Sequence, residues 1–355
     1  MWTNIAIAGL IVNIFMASLG IAGHGESGVG DDRVDVVVSN PDLEQLVGSI
    51  GGAMVDVHSL QTGGALDSQA ISRLGDPELL VLLDSEKYSI EKELIEAFPD
   101  VDIIDWPNYE FNGVKLRNFT GFDDSRRGFW LDFENAKGIA TAIGGALMVK
   151  GVEPEIVGAN LHLLKKEFDN LAATSSDAMQ ATGRPHSTWL AANTEAAYII
   201  ANLGLIVADS PLTVGGEPVD EIAMNDLEIK LINGNFAGIV CPESADQKIK
   251  DAVAQLSKES KAPVAYVKYP GDDGAGSFLS TASYNLSIMT NAAVEGEYIR
   301  KSQESLGYGS ANVHFIWAIV VFGLAMWIVM LNKQLHYRGG VGTLSGRGMK
   351  SKAKK

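Results

Sequence analysis

The chain has 355 residues, a single cysteine and a formal charge of −16. That length accommodates two globular units of ordinary size, the 46% hydrophobic fraction is enough to build packed cores, and Cys241 alone excludes an internal disulfide or a thiolate cluster. Seven of the 28 basic residues lie in the last 23 positions, so upstream of Lys333 only 21 bases face 44 acids, a balance that repels nucleic acid.

Residues Ile5 to Ala22 are apolar or small apart from Asn13 and Ser18, which is the lower limit for crossing a bilayer. The segment lacks the basic start of a secretory signal, and residues 1–23 are read as an anchor or a signal, with retention favoured. A first α/β lobe is expected over 33–152. Asp35 to Val38 reads as a buried strand closed by Ser39-Asn40-Pro41, Leu43, Leu46, Val47 and Ile50 as a helix face ending at Gly51-Gly52, and Met54 to Leu60 as the next strand. Helices over Gln69 to Leu74 and Ile90 to Phe98 alternate with strands over Glu78 to Leu83 and Val101 to Ile104. Trp106 to Asp124 reads as a polar and aromatic connection, with Asn118-Phe119-Thr120 a candidate glycosylation acceptor.

Arg127-Gly128-Phe129-Trp130-Leu131-Asp132-Phe133-Glu134-Asn135-Ala136-Lys137 then makes a tight entry into a helix. Asp132 is placed to cap it, and Ala136, Ile139, Ala140, Ile143 and Leu147 recur at helical spacing. This stretch resembles the His-hydrophobe-Trp-Leu-Asp-Pro-x-Asn-Ala motif of the zinc and manganese receptors of ABC importers, the cluster A-I solute-binding proteins. The opening of the chain is similar too, where a strand, a helix ending in Ile50-Gly51-Gly52 and a strand ending in Ser59-Leu60 lead to a loop. The resemblance spans about residues 34 to 295 and implies two α/β lobes joined by one long rigid helix, with a metal held in the cleft by four ligands. It also implies that each ligand position has changed here. The loop Gln61 to Leu66 has no histidine, Gly128 stands at the second ligand, Asn193 at the third, and Lys268-Tyr269 where an acidic ligand belongs. Glycine offers no donor and asparagine binds transition metals poorly.

A linking helix is expected over 153–182, with Ile156, Leu161, Leu164, Phe168 and Leu171 on its apolar stripe and His162 packed or solvated. The second α/β lobe, 183–300, starts with Thr188 to Tyr198. It continues through a helix over Asp220 to Asn233, the strand and turn Gly238 to Glu243, a helix over Ala245 to Ser257 and a strand over Pro263 to Lys268. Cys241 reads as a small buried hydrophobe at a strand end, and Asn285 begins a second glycosylation sequon. Val313 to Leu331 is apolar apart from His314 and reads as a transmembrane helix over 313–332, with the basic tail 333–355 cytoplasmic and the acidic lobes outside.

No P-loop, nucleophile elbow, H-E-x-x-H or Cys-His pair occurs, so no enzymatic activity, cofactor or intact metal site is expected. The function expected is that of an extracytoplasmic, membrane-anchored accessory or scaffold subunit, partnered by integral membrane proteins or by an ABC permease. One alternative is a tethered receptor for a non-metal solute, with His58, Arg127, Asn193, Glu243, Lys268 and Tyr269 as cleft-lining candidates. Another is a rebuilt zinc, manganese or copper site on His58 with Asp272 or Asp273, although a hydrogen-bonded structural role is the simpler reading of His58.

Overall fold

Val34–Val38 (β1) and Val55–Ser59 (β2) flank the helix Pro41–Gly51 (α1), and each strand is β-branched enough to favour the pleated conformation. The computed structural model describes residues 33–60, 68–122, 125–208, 210, 220–270 and 277–297, all within one compact unit. The first sheet is parallel, in the order β2-β1-β3-β4, with β3 at Leu79–Val81 and β4 at Asp102–Ile104. The helices Ser68–Arg73 (α2) and Ser89–Ala97 (α3) lie between its later strands in the chain. A parallel sheet needs cover on both faces. Val36, Val38, Leu79 and Val81 pack into the main core, whereas Val37, Leu80 and Leu82 pack with Leu94, Ile95 and Phe98 of the α3 side.

The connection expected over Trp106 to Asp124 contains a helix, Trp106–Phe111 (α4). Its cause is local: Asp105 caps the first turn, Asn108 returns the bond to the cap, and Pro107 has its φ already set for a first turn. A 3-10 turn, Phe129–Leu131, leads into Phe133–Val149 (α5), which Asp132 caps as expected by accepting from the N–H groups of Glu134 and Asn135. Pro154–Ala181 (α6) is a 28-residue helix burying Val157, Leu164, Phe168, Leu171, Ser175 and Met179, with His162 exposed to solvent.

The second sheet repeats the plan of the first. Thr188–Ala191 (β5), Ile206–Ala208 (β6), Ile239–Pro242 (β7) and Val264–Val267 (β8) are parallel in the order β6-β5-β7-β8. Thr194–Asn202 (α7) and a helix over 278–297 (α10) cover one face, and Glu221–Ile232 (α8) and Gln247–Ser260 (α9) the other. Alternation along β5 sends Trp189 and Ala191 into the main core and Leu190 and Ala192 into the outer one. The main core is continuous from α1 through α5 and α6 to Trp189 and Met289, so both sheets share one hydrophobic interior. Cys241 is fully buried in β7, and burial pushes its thiol up to about 11, which makes it an inert packing residue.

Asn285 is 5% exposed and its amide is engaged on both sides, accepting from the Lys268 N–H and donating to the Lys268 carbonyl, so the expected sequon is not an available acceptor. Asn118 is exposed. Among the described residues, no helix is long and apolar enough to cross a membrane. The two segments read as anchors, 5–22 and 313–331, lie outside those residues, as do the Gln61 to Leu66 loop, Asp272 and Asp273.

Candidate functional site between the lobes

In open parallel sheets, ligands bind beyond the carboxyl ends of the strands. The carboxyl end of the first sheet is closed by buried acids taking donors from the backbone and from serines. Glu91 accepts from the N–H groups of Leu83 and Asp84, both at 2.7 Å, and from the Ser39 hydroxyl. Asp105 takes the Ser85 hydroxyl, and the Tyr109 hydroxyl donates to the Leu82 carbonyl at 2.6 Å. Asp84, fully buried, pairs with Arg126 at 2.6 Å, and the guanidinium stacks 5.3 Å from the Trp106 ring. None of these acids is among the sequence-derived site candidates. The only local cue is Glu91 at the third position of a helix, which is a capping pattern rather than a site pattern.

Burial raises the Glu91 carboxyl above its ordinary value of 4.5, against the opposing pull of its hydrogen bonds. The folded protein therefore holds that proton more tightly than the unfolded chain. The stabilisation that comes with protonation is fully present below 4.5 and is lost as pH rises through the raised value. Glu91→Gln removes this titration. Thermal melts at pH 4.5 and 7.5 are expected to show the stability of the Gln variant, measured against the parent, improving towards the higher pH; the reverse trend would show that its hydrogen bonds outweigh its burial.

Gly128 adopts the left-handed conformation, φ 82° and ψ 5°, at the entry to the 3-10 turn. A Cβ at this position would stand 2.8 Å from the Glu195 Cα and 3.0 Å from its Cγ. Here the two lobes touch backbone to backbone. Arg127 lies on the rim, 61% exposed, with its Nε 3.3 Å from Glu195 Oε1. Asn193 is the N-cap of α7: its Oδ1 accepts from the Ala196 N–H at 2.9 Å and from the Tyr269 hydroxyl at 3.0 Å. The structure thus brings Asn193 and Tyr269 into direct contact.

Lys268 is turned to another group. Its Nζ is 3.8 Å from Glu243 Oε2 and 5.3 Å from the centre of the Tyr284 ring, and the Tyr284 hydroxyl donates to Glu243 Oε1 at 2.8 Å. Each of the two cations among the cleft candidates therefore has a carboxylate beside it. His58 belongs to neither cluster. It lies in β2, where its ligand-capable atoms, those of Asp35 and those of Asp56 come within 4.8 Å of one another.

The motif around Trp130 is used for joining. Trp130 Nε1 donates to Asp42 Oδ2 at 2.6 Å, and the Asn135 amide donates to the carbonyls of Phe129 and Lys115. Asp132 pairs with Arg117 besides capping α5. Across the junction, Asn202 donates to the Leu131 carbonyl at 2.7 Å and accepts from the Phe133 N–H. The Tyr198 hydroxyl donates to the Ser125 carbonyl at 2.7 Å and accepts from the Arg117 N–H at 3.2 Å, with Phe119 edge-on to its ring at 4.9 Å.

No sequence family and no curated protein matches this chain. Solved structures do. The Mn2+ complex of the solute-binding protein FpvC from Pseudomonas aeruginosa is 16% identical with a TM-score of 0.59, covering 74% of this chain and 99% of its own. ZnuA is 18% identical with a TM-score of 0.57, covering 74% and 98%. The laminin-binding adhesin Lmb from Streptococcus agalactiae, described as having adhesin and metal-transporting activity, is 16% identical with a TM-score of 0.59, covering 74% and 99%. The described lobes have the fold of the metal-binding solute-binding proteins of this group.

Proposed function

We propose that the chain is a non-catalytic, extracytoplasmic accessory or scaffold subunit, built on a solute-binding fold whose interlobe metal site has been given over to contacts between the lobes. The observation that carries this reading is the approach of Glu195 to Gly128, which occupies the space a ligand side chain at residue 128 would need. Asn193 and Tyr269 support it, since the asparagine oxygen already accepts two hydrogen bonds and the tyrosine is its donor. Membrane attachment rests on the apolar run Val313 to Leu331 and the basic tail behind it. A fixed helix suits lateral assembly with other membrane subunits.

The test is the composition of the particle recovered when the native protein is purified from gently solubilised membranes. Integral membrane subunits other than an ABC importer are expected in stoichiometric amount. Recovery alone, or with an ABC permease and its ATPase, would overturn the scaffold role and favour a tethered receptor.

A further inference from the structure

The first sheet carries a ligand set away from the lobe junction. β1 and β2 are parallel and in register, so Asp35 stands opposite Asp56 and Val37 opposite His58. Residues two apart on a strand share a face, which puts Asp35, Asp56 and His58 on the side where Val37 packs beneath α3. Asp35 is four residues from Ser39 at the carboxyl end of β1, about 13 Å along a strand rising roughly 3.3 Å per residue. Among the described residues this is the one cluster in which three carboxylate, imidazole or thiol groups meet, and all three are half-buried.

We infer that Asp35, Asp56 and His58 form a binding site for a divalent first-row transition ion of the zinc class, independent of the cleft. Two oxygen ligands and one imidazole nitrogen make a borderline donor set, suited to zinc or manganese more than to calcium or magnesium. Tetrahedral ligands about 2.0–2.1 Å from zinc lie roughly 3.3 Å from one another. The present separations, all within 4.8 Å, have to contract by about 1.5 Å to surround such an ion.

Charge supplies a second reason. Like charges held close together on adjacent strands repel one another. Asp35 and Asp56 are such a pair, on strands whose backbone register holds them there. The cation beside them is Arg33, 3.3 Å from Asp56, but both side chains of this ion pair are more than a third exposed. Ion pairs as exposed as this one contribute little to stability. A divalent ion with two carboxylates and an imidazole displaces it readily. Three protein ligands leave a fourth position for water or for a ligand from a partner.

The full-length protein in detergent is titrated with Zn2+ against a competing chelator, and with Co2+ followed by its visible absorption. One site is expected whose affinity falls tenfold or more in His58→Ala and in Asp35→Asn. Arg33→Gln is expected to strengthen binding several-fold, because it removes the competing cation; misfolding cannot produce that gain. Equal zinc affinity in all four proteins, or no zinc bound at micromolar concentration, overturns the site. Neither outcome bears on the membrane partners, so this inference and the scaffold reading stand or fall separately.

Discussion

Placing a histidine at Gly128 is expected to destabilise the protein by about 2–4 kcal/mol without creating a cleft metal site. Two costs add. A residue with a Cβ in the left-handed region costs about 1 kcal/mol or more, and forcing atoms into a filled site costs about 1–3 kcal/mol. Both apply at Gly128, whose φ is 82° and whose absent Cβ would lie 2.8 Å from the Glu195 Cα. Because that neighbour is backbone, a rotamer change cannot relieve the contact. For a structure of this size the melting temperature should fall by roughly 5–10 °C.

Comparison with Gly128→Ala separates the explanations. If the Cβ is what collides, Gly128→Ala and Gly128→His lower the melting temperature by similar amounts, and zinc rescues neither. If the introduced imidazole instead finds ligands, zinc raises the melting temperature of the Gly128→His variant alone, and the proposed conversion of the cleft into a lobe junction fails. The groups that would have to complete such a shell already have partners. Asn193 caps a helix, Tyr269 donates to Asn193, and Lys268 sits between Glu243 and Tyr284. A metal bound at residue 128 would have to break those contacts to gather its ligands.

How much of this was legible beforehand depended on the range of each interaction. The strands β1 and β7, the cap at Asp132 and the stripe of α6 are local patterns, and each has its cause within a few residues of sequence. Helix α4 was equally local, in Asp105-Trp106-Pro107-Asn108, but the polar and aromatic residues after it imitate a loop. The cap at Asn193 is hidden by the resemblance itself, which assigns the position to a ligand, although Asn-Thr-Glu before an apolar run is a good helix start. The contacts between residues distant in the chain were out of reach. Asp84 and Arg126 are 42 residues apart, and Tyr198 lies 73 residues from Ser125, so only the packed fold pairs them. Period-two alternation places Asp56 beside His58, but the parallel register that adds Asp35 is a tertiary fact.

The largest loss of stability is expected for Tyr198→Ala, at about 3–5 kcal/mol, the range for removing a large buried aromatic side chain. Tyr198 is fully buried, and it reaches from α7 in the second lobe to two separate segments before α5. Tyr198→Phe isolates the polar part. It keeps the edge-on contact with Phe119 but leaves the Ser125 carbonyl and the Arg117 N–H without that hydroxyl, at a cost of about 1–3 kcal/mol. Hydrogen exchange gives the decisive reading. In the Phe variant, faster exchange should be concentrated at Arg117, whose N–H loses its acceptor, while Asn202 still ties Leu131 and Phe133 to α7. In the Ala variant it should spread into α5 and α7 together, because their side chains belong to one continuous core. Faster exchange confined to α7 in both variants would mean that the lobes open independently, as in a receptor that closes around a solute. Spread across the junction instead fits two lobes held as a single platform, which is what a subunit recognised by its outer surface requires.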